Sequence, residues 1–221
     1  MTLASSHDST NKYEIGVDEC ARGPMFGRLY VSAVVLPKTD VFRHDWMKDS
    51  KKIKSKKRMG ELSDYIKQNA IAWHIHYIEA SVIDEINIRQ AVLRGMRECI
   101  SQVLTKIGSD DTLIVVDGND FTPFMVVNSD CELREVPHIT CEKADGTYSF
   151  VAAASILAKH AHDTYILELC QEYPLLATRY GLHTNMGYGT ASHMAGIREF
   201  GITQWHRKSF GICANATLNT L

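Results

Sequence analysis

The sequence predicts a mixed α/β domain that carries a helical extension at its C-terminus. Short apolar runs at residues 13–18 and 112–117 each end in an aspartate, a pattern typical of strands buried in a sheet. The alanine-rich segment at residues 150–170 has no glycine or proline and predicts a long helix. Early strands precede the long helices and later strands alternate with helices, which predicts a mixed architecture.

The other elements of the first half follow from local patterns. Residues 28–37 form a β-branched apolar run that predicts a second strand, antiparallel to the first. Ser55 is a suitable helix cap and predicts a helix that continues to about Asn69. Residues 70–80 predict a third strand.

The second half alternates in the same way. Apolar residues recur at helical spacing over residues 81–107, which predicts one or two helices that end at Gly108. Residues 132–141 predict a further strand. A final helical segment is expected at residues 190–200.

Composition limits the class of protein. The 221 residues suit one domain, or one domain with a small appendage, and 45% hydrophobic residues are typical of a globular chain. Because there is no apolar run of 18 residues and no secretory signal, we expect a cytoplasmic protein with no membrane segment, with a nuclear or viral-factory location as the alternatives. The six cysteines form no C-x-x-C pair, which indicates reduced thiols and argues against zinc.

Positive charge is concentrated although the net charge is −2. Residues 48–58, KDSKKIKSKKR, carry seven basic side chains and one acidic one, and residues 206–208 add a second small patch. Such patches can hold phosphates. The alternative interpretation of the lysine run is the solvated start of a helix.

Four acidic residues stand where a metal site would need them: Asp18, Glu19, Asp117 and Asp145. Carboxylates gathered at one end of a sheet repel one another unless cations intervene, and hard divalent ions prefer oxygen ligands. Two such ions about 3.5–4 Å apart activate a water and stabilise a leaving oxygen. Neighbours on a strand point to opposite faces, so Asp18 and Glu19 share a site only if the strand ends or bulges there. Surface or ion-paired carboxylates, and a helix-start role for Asp145, are the alternatives.

Several motifs together resemble the ribonuclease HII, or type 2 ribonuclease H, family. In chain order they read GVDECARGP, DSKK, IVVDGN, KADGTYSFVAAASILAK, YGLHTNMGYGT and HRKSF, and they span Ile15 to Phe210. The resemblance implies an RNase H-like fold, with a central mixed sheet flanked by helices. It divides the chain into a disordered tail (1–12), a catalytic domain (13–175) and a C-terminal helical extension that contributes to substrate binding (176–221).

The same resemblance implies an activity. The enzyme would cleave RNA in RNA–DNA hybrids and incise duplex DNA at embedded ribonucleotides, leaving 5′-phosphate and 3′-hydroxyl ends. It would act as a monomer with two Mg²⁺ or Mn²⁺ ions held by the four carboxylates. The residues expected at the nucleic acid are Arg22, Gly23, Ser50, Lys51, Lys52, Tyr188, His206 and Arg207.

Each of these substrate residues has a role that the resemblance implies. Tyr188 would stack on a sugar beside the cleaved ribonucleotide, and the loop of Arg22 and Gly23 would surround the ribose 2′-hydroxyl. Residues 50–52 would touch the nucleic-acid backbone. His206 and Arg207 belong to a terminal motif that either contacts phosphate or supports the structure. By itself, Tyr188 is also compatible with an ordinary loop aromatic.

The chain departs from the family pattern at a few positions. Ala21 stands where the family has glycine, and alanine tolerates a positive φ poorly, so the loop is expected to differ slightly and to affect junction selectivity. Asn185 and Met186 replace a His-Lys pair. Two other classes of function stay open: a non-catalytic nucleic-acid-binding module, which would require the loss of an acid, and a resolvase-like nuclease, which would cut all-DNA junctions. The pair His74 and His76 is interpreted as packed or exposed side chains rather than metal ligands.

Overall fold

The computed structural model describes residues 2–127 and 131–220. The strands are β1 (Tyr13–Cys20), β2 (Leu29–Val35), β3 (Ala72–Ile78), β4 (Thr112–Asp117), β5 (Phe124–Val127), β6 (Leu133–Val136) and β7 (His138–Cys141). The helices are α1 (Lys56–Asn69), α2 (Ala80–Ile86), α3 (Ile88–Ile107), α4 (Ser149–Glu172), α5 (Pro174–Tyr180), α6 (Leu182–Asn185) and α7 (Ala191–Phe200). The predicted α/β class with a mixed central sheet is confirmed.

The main sheet has the strand order β3-β2-β1-β4-β7. Strands β1, β4 and β7 are parallel, and the register places Val17 opposite Val116. Asp18 and Asp117 each follow one member of that pair, so both aspartates lie at the same edge of the sheet. This register is the structural basis of the candidate site.

Helix α4 packs directly on β1 because Gly16 has no side chain. A Cβ atom at Gly16 would lie 2.6 Å from the carbonyl carbon and oxygen of Phe150 and 2.7 Å from the nitrogen of Val151. The helix is fully buried over its first three turns, where alanines fill the narrow space. The close approach brings the start of α4 to the strand that carries Asp18.

The chain divides into two compact units. The first unit comprises Met1–Cys20, Val31–His76 and Leu93–His160, and the second comprises Ala21–Tyr30, Tyr77–Val92 and Ala161–Leu221. This division differs from the expected boundary at residue 175. The difference arises because residues 21–30 and 77–92 belong to the same compact unit as the C-terminal segment, which sequence order does not indicate.

Each unit has its own apolar core. The core of the first unit includes Leu62 and Ile66 of α1 together with Phe150, Val151 and Leu157 of α4. The core of the second unit consists of ten buried side chains: Phe26, Ile166, Leu169, Cys170, Leu176, Tyr180, Leu182, Ile197, Ile202 and Cys213. Within the described ranges, none of the helices has the length and apolarity needed to cross a lipid bilayer.

The N-terminal segment differs from the expected disordered tail. The backbone nitrogen of Ala4 donates to the carbonyl of Thr147 at 2.9 Å, and the nitrogen of Ser149 donates to the carbonyl of Ala4 at 2.9 Å. Leu3 packs against the core of the first unit. The side chain of Glu14 accepts from the backbone nitrogen of His7 at 2.7 Å. These partners are distant in sequence, which is why composition alone did not indicate them.

The single strand predicted for residues 132–141 is two strands. Proline at 137 has no backbone N–H, and it separates β6 from β7. Strand β6 pairs with β5 in a separate two-stranded antiparallel sheet, whereas β7 pairs with β4 in the main sheet. The hairpin strand β5 was not predicted.

The other predicted helices are present. Ser55 caps α1 and accepts from the backbone nitrogen of Arg58. The segment 81–107 contains two helices, α2 and α3, separated by Asn87 at φ 66°. The segment 190–200 is α7, with Thr190 as its capping residue.

Candidate active site

Four carboxylates of the first unit form one electrostatic site. Asp18 and Glu19 lie near the end of β1, Asp117 is the last residue of β4, and Asp145 lies in a short 3-10 turn, Ala144–Gly146, before α4. The pKa of Asp18 is raised well above its ordinary value, chiefly by burial and then by the negative charges of Glu19, Asp117 and Asp145. We name this group the carboxylate site.

Asp18 is held from two sides. Its side chain is 5% exposed, and its Oδ1 accepts from the backbone nitrogen of Glu19 at 2.8 Å. A hydrogen bond from Ser155 of α4 partly offsets the rise in the pKa of Asp18. The hydroxyl of Ser155 lies 2.9 Å from the hydroxyl of Ser50, and both serines are buried. Ser50, one of the predicted nucleic-acid contacts, is therefore connected to Asp18 through the hydroxyl of Ser155.

Asp117 and Asp145 are connected by the backbone. Oδ1 of Asp117 accepts from the nitrogen of Ala144 at 2.7 Å, which ties the end of β4 to the turn that carries Asp145. Burial raises the pKa of Asp145, with further contributions from the charges of Asp117 and Asp49, while Lys51 opposes the rise. The turn at residues 49–52 therefore lies within electrostatic range of the site.

The donor chemistry suits a hard divalent cation, although the carboxylates of the described residues do not converge on one point. Within residues 2–127 and 131–220, no three His, Cys, Asp or Glu side chains are arranged to hold an ion. Strand β1 extends to Cys20, and its register with β4 runs from Tyr13 to Val17, so Asp18 and Glu19 follow the part of β1 that pairs with β4. The oxygen-only donor set and the burial of Asp18 fit Mg²⁺ or Mn²⁺.

The loop after β1 belongs to the second unit and is fixed by a buried arginine. Arg207 is 0% exposed, and its guanidinium donates to three backbone carbonyls: Ala21 from Nη2 at 2.8 Å, Arg22 from Nη1 at 3.2 Å and Gly27 from Nε at 3.0 Å. Ala21 has φ 70°, so it adopts the left-handed conformation that glycine favours. The bond from Arg207 to its carbonyl helps to hold this strained residue in place.

Tyr188 and the loop of Arg22 and Gly23 lie together within the second unit. A Cβ atom on Gly23 would lie 3.9 Å from Cε1 of Tyr188. The carbonyl of Gly187 accepts from the nitrogen of Met25 at 2.9 Å. Arg22 and Gly23 are exposed, and Tyr188 is 46% exposed. We name these three residues the recognition face.

The structure separates the remaining predicted contacts into two kinds. Lys51 and Lys52 are exposed, whereas Ser50 is buried against Ser155. His206 and Arg207 are buried, which favours structural support, the second role that the motif allows, over the expected phosphate contact. The physical reason is that their polar atoms are occupied by partners inside the protein.

Sequence reasoning missed two residues. Ser155 is the one hydroxyl in an otherwise apolar stretch of α4, and a hydroxyl in a fully buried helix needs a partner, which is the signal that would have identified it. His193 of α7 is buried and bonds both His206 and the carbonyl of Tyr188. No local pattern around His193 indicates these partners.

Comparisons with known proteins agree with this architecture. A family model described as ribonuclease HII matches residues 15–213. A ribonuclease HII from Parabacteroides distasonis is 40% identical over 201 residues, which cover 91% of this chain and 91% of the relative. The crystal structure of ribonuclease H2 from Pyrococcus horikoshii matches with a TM-score of 0.67 at 22% identity, over 92% of this chain and 96% of that one. The crystal structure of Bst-RNase HIII in complex with Mn²⁺ matches with a TM-score of 0.62 at 14% identity, over 87% of this chain and 71% of that one.

Proposed function

Because the chain belongs to the ribonuclease HII family and is therefore a ribonuclease H endonuclease, we propose that it cleaves the RNA strand of RNA–DNA hybrids and incises duplex DNA at embedded ribonucleotides. One observation carries the proposal. Asp18 is buried at the end of a core strand, and three further carboxylates raise its pKa. Such an arrangement is costly for the fold alone and is explained by a cation-dependent site.

We assign two divalent ions, Mg²⁺ or Mn²⁺, to Asp18, Glu19, Asp117 and Asp145. Held by these four residues, such ions would supply charge neutralisation at the scissile phosphate and a lowered pKa for an attacking water. The Mn²⁺ complex of a structural relative with the same fold supports this choice of ion. Attack on the phosphate 5′ of a ribonucleotide, with departure of the 3′ oxygen of the preceding nucleotide, would leave 3′-hydroxyl and 5′-phosphate ends.

The chain itself positions the ligands. Ser155 donates to Asp18 and favours its ionised, metal-binding form, while Ser50 fixes Ser155. The nitrogen of Ala144 orients the carboxylate of Asp117. Because Asp117 and Ser155 are held by these hydrogen bonds, less reorganisation of the site would be needed to hold an ion.

We assign substrate recognition to two exposed groups. In the first unit, Lys51 and Lys52 offer ammonium groups to backbone phosphates. In the second unit, the recognition face offers Arg22, the open backbone of Gly23 and the ring of Tyr188 to a ribose. The 2′-hydroxyl of that ribose is the group that distinguishes RNA from DNA.

An incision assay tests the proposal. Three labelled substrates are compared: duplex DNA with one ribonucleotide, a continuous RNA–DNA hybrid, and an all-DNA four-way junction. Each is incubated with Mg²⁺, with Mn²⁺ and with EDTA. We expect cleavage of both ribonucleotide-containing substrates with either ion and no cleavage in EDTA. Extension of the products by a polymerase and sealing by a ligase would identify the 3′-hydroxyl and 5′-phosphate ends.

The controls separate the alternative functions. Tight binding of the hybrid in Mg²⁺ without cleavage in either ion would identify a non-catalytic binding module. Cleavage of the all-DNA junction would identify a resolvase-like nuclease. Size-exclusion chromatography with light scattering tests the proposed monomer, and a stable dimer at micromolar concentration would contradict it.

A further inference from the structure

Two buried histidines of the second unit form a hydrogen-bonded chain that ends at the recognition tyrosine. The backbone nitrogen of Thr203 donates to Nδ1 of His206 at 2.9 Å. Nε2 of His206 lies 3.1 Å from Nε2 of His193, and Nδ1 of His193 lies 3.0 Å from the carbonyl oxygen of Tyr188. Both imidazoles are almost fully buried. We name this series of bonds the histidine chain.

The hydrogen bonds determine where each proton lies. A backbone N–H can only donate, so Nδ1 of His206 is an acceptor and its proton is on Nε2. That proton is donated to Nε2 of His193, which leaves the proton of His193 on Nδ1. Nδ1 of His193 then donates to the carbonyl of Tyr188. A single arrangement of protons satisfies all the bonds, and it requires both rings to be neutral.

The surroundings keep both rings neutral. Burial lowers the pKa of His193, and it lowers the pKa of His206 to about 3. The ring of Tyr180 lies edge-on to both histidines, and the ring of Phe26 lies edge-on to His206. The guanidinium of the adjacent Arg207 donates to loop carbonyls. A proton added to either ring would place two N–H groups against each other.

The histidine chain ends at the backbone of Tyr188, which is held by several other hydrogen bonds and contacts. The carbonyl of Tyr188 also accepts from the nitrogen of Thr190 at 2.8 Å, and the nitrogen of Tyr188 donates to the carbonyl of Asn185 at 3.0 Å. Gly187, at φ 82°, approaches Phe26 so closely that a Cβ atom would lie 2.7 Å from its carbonyl oxygen. An exposed ring on a fixed backbone loses little conformational freedom when a ligand stacks on it.

We propose that His193 is a positioning residue for ribonucleotide recognition, because its Nδ1 donates a hydrogen bond to the carbonyl of Tyr188. His206 supports this role, since its own hydrogen bond to Nε2 of His193 keeps the proton of His193 on Nδ1. The inference rests on the proposed function, because Tyr188 matters only if it contacts the substrate. His193 itself touches no substrate.

Two substitutions of His193 separate its hydrogen bond to Tyr188 from its hydrogen bond to His206. In His193→Asn the amide nitrogen replaces Nδ1 and keeps the bond to the Tyr188 carbonyl, whereas the link to His206 is lost. In His193→Gln the longer amide keeps an acceptor for His206 and loses the donor to Tyr188. We expect KM for duplex DNA with one ribonucleotide to rise roughly tenfold in His193→Gln, the scale of a lost aromatic stack, with kcat within about twofold. His193→Asn should stay within about threefold of wild type in KM.

A double-mutant cycle tests whether His193 acts through Tyr188. We expect His193→Gln to have no further effect on KM when it is introduced into Tyr188→Leu, because the group that it positions is already absent. Additive effects would overturn the inference, as would a KM of His193→Gln equal to that of wild type. His74→Gln, the same change on β3, serves as the matched control and should leave KM unchanged.

A spectroscopic measurement tests the inference without substrate. In ¹⁵N-labelled wild-type protein, we expect His193 to carry its proton on Nδ1 and His206 to carry its proton on Nε2. A proton on Nε2 of His193 would overturn the inference even if the variants fail to fold. If wild type cleaves no ribonucleotide-containing substrate, the proposed function fails, although the measured proton positions of His193 and His206 remain valid. If wild type cleaves and the cycle is additive, only the inference fails.

Discussion

The carboxylate site of the first unit and the histidine chain of the second unit both bury polar groups, but they balance them differently. In the carboxylate site, burial and like charges raise the pKa of Asp18, and hydrogen bonds offset the charge only in part. In the histidine chain, both rings are neutral and each nitrogen has a partner. The first region therefore agrees with the proposed cation site, whereas every ring nitrogen of the second region has a hydrogen-bond partner within the protein.

The largest expected effect comes from removing one member of the carboxylate site. Asp18→Asn should lower kcat for a ribonucleotide-containing duplex by roughly 100-fold or more, the scale of losing one electrostatic group at a transition state. Incision in Mg²⁺ measures it. Asp64→Asn, the same change at an exposed position of α1, is the control and should retain wild-type kcat. Full activity of Asp18→Asn would remove Asp18 from the catalytic set.

The second-largest effect is expected at Arg207 of the second unit, whose guanidinium donates three hydrogen bonds to backbone carbonyls. Arg207→Lys replaces three guanidinium donors to backbone carbonyls, two of them in buried hydrogen bonds, by one ammonium, which leaves acceptors without partners. We expect the free energy of unfolding to fall by about 3 kcal/mol. Urea unfolding followed by circular dichroism measures this change. Arg43→Lys, at an exposed arginine paired with Asp45, should leave the midpoint nearly unchanged, and an equal loss in both variants would contradict the structural role of Arg207.

A third measurement sharpens the contrast through pH. The pKa of Asp18 is raised in the folded state, so its contribution to stability is fully present below the unfolded pKa of about 3.9 and is lost as pH rises through the folded pKa. In EDTA, the difference in melting temperature between Asp18→Asn and wild type should therefore grow in favour of the variant as pH rises from about 4 to about 8. Mg²⁺ should raise the melting temperature of wild type more than that of the variant. A difference that is independent of pH would contradict the raised pKa.

The smallest expected effect concerns Ala21, the residue with a positive φ that precedes Arg22 and Gly23 of the recognition face. Ala21→Gly should raise the free energy of unfolding by about 0.5–1 kcal/mol, because left-handed strain of about 1–2 kcal/mol is relieved and part of the gain is lost to the flexibility of glycine. Ala70→Gly, at φ −70°, should instead lower it by about 0.5–1 kcal/mol. Chemical denaturation of both variants measures the two signs. A loss of stability in Ala21→Gly would show that the φ of 70° carries no strain.

The sequence predicted the elements whose signal is local. The buried strands β1 and β4 are continuous apolar runs, and α1 begins at the capping residue Ser55, so each was predictable from its own residues. The split at Pro137 was missed because the two halves pair in different sheets, which depends on partners far along the chain. The two-unit division was missed for the same reason.

The candidate site shows the same limit. The four acids were identified by motif and resemblance, and their mutual electrostatic influence agrees with one site, while their role as metal ligands stays a prediction. The burial of Arg207 and His206 was not predictable, since charged and polar side chains are usually exposed and their partners here are backbone atoms and a distant histidine. The loop at Ala21 was expected to differ slightly because alanine tolerates a positive φ poorly, and Ala21 adopts a φ of 70°.

The contact at Gly16 has a consequence for how the enzyme tolerates change. The backbone of β1 packs against the backbone of α4 at this point. The position of Ser155 relative to Asp18 therefore depends on backbone atoms rather than on the shapes of side chains. Substitutions at the less buried positions in the C-terminal part of α4 should therefore leave the pKa of Asp18 unchanged, whereas a single methyl group added at Gly16 would displace the start of the helix together with Ser155.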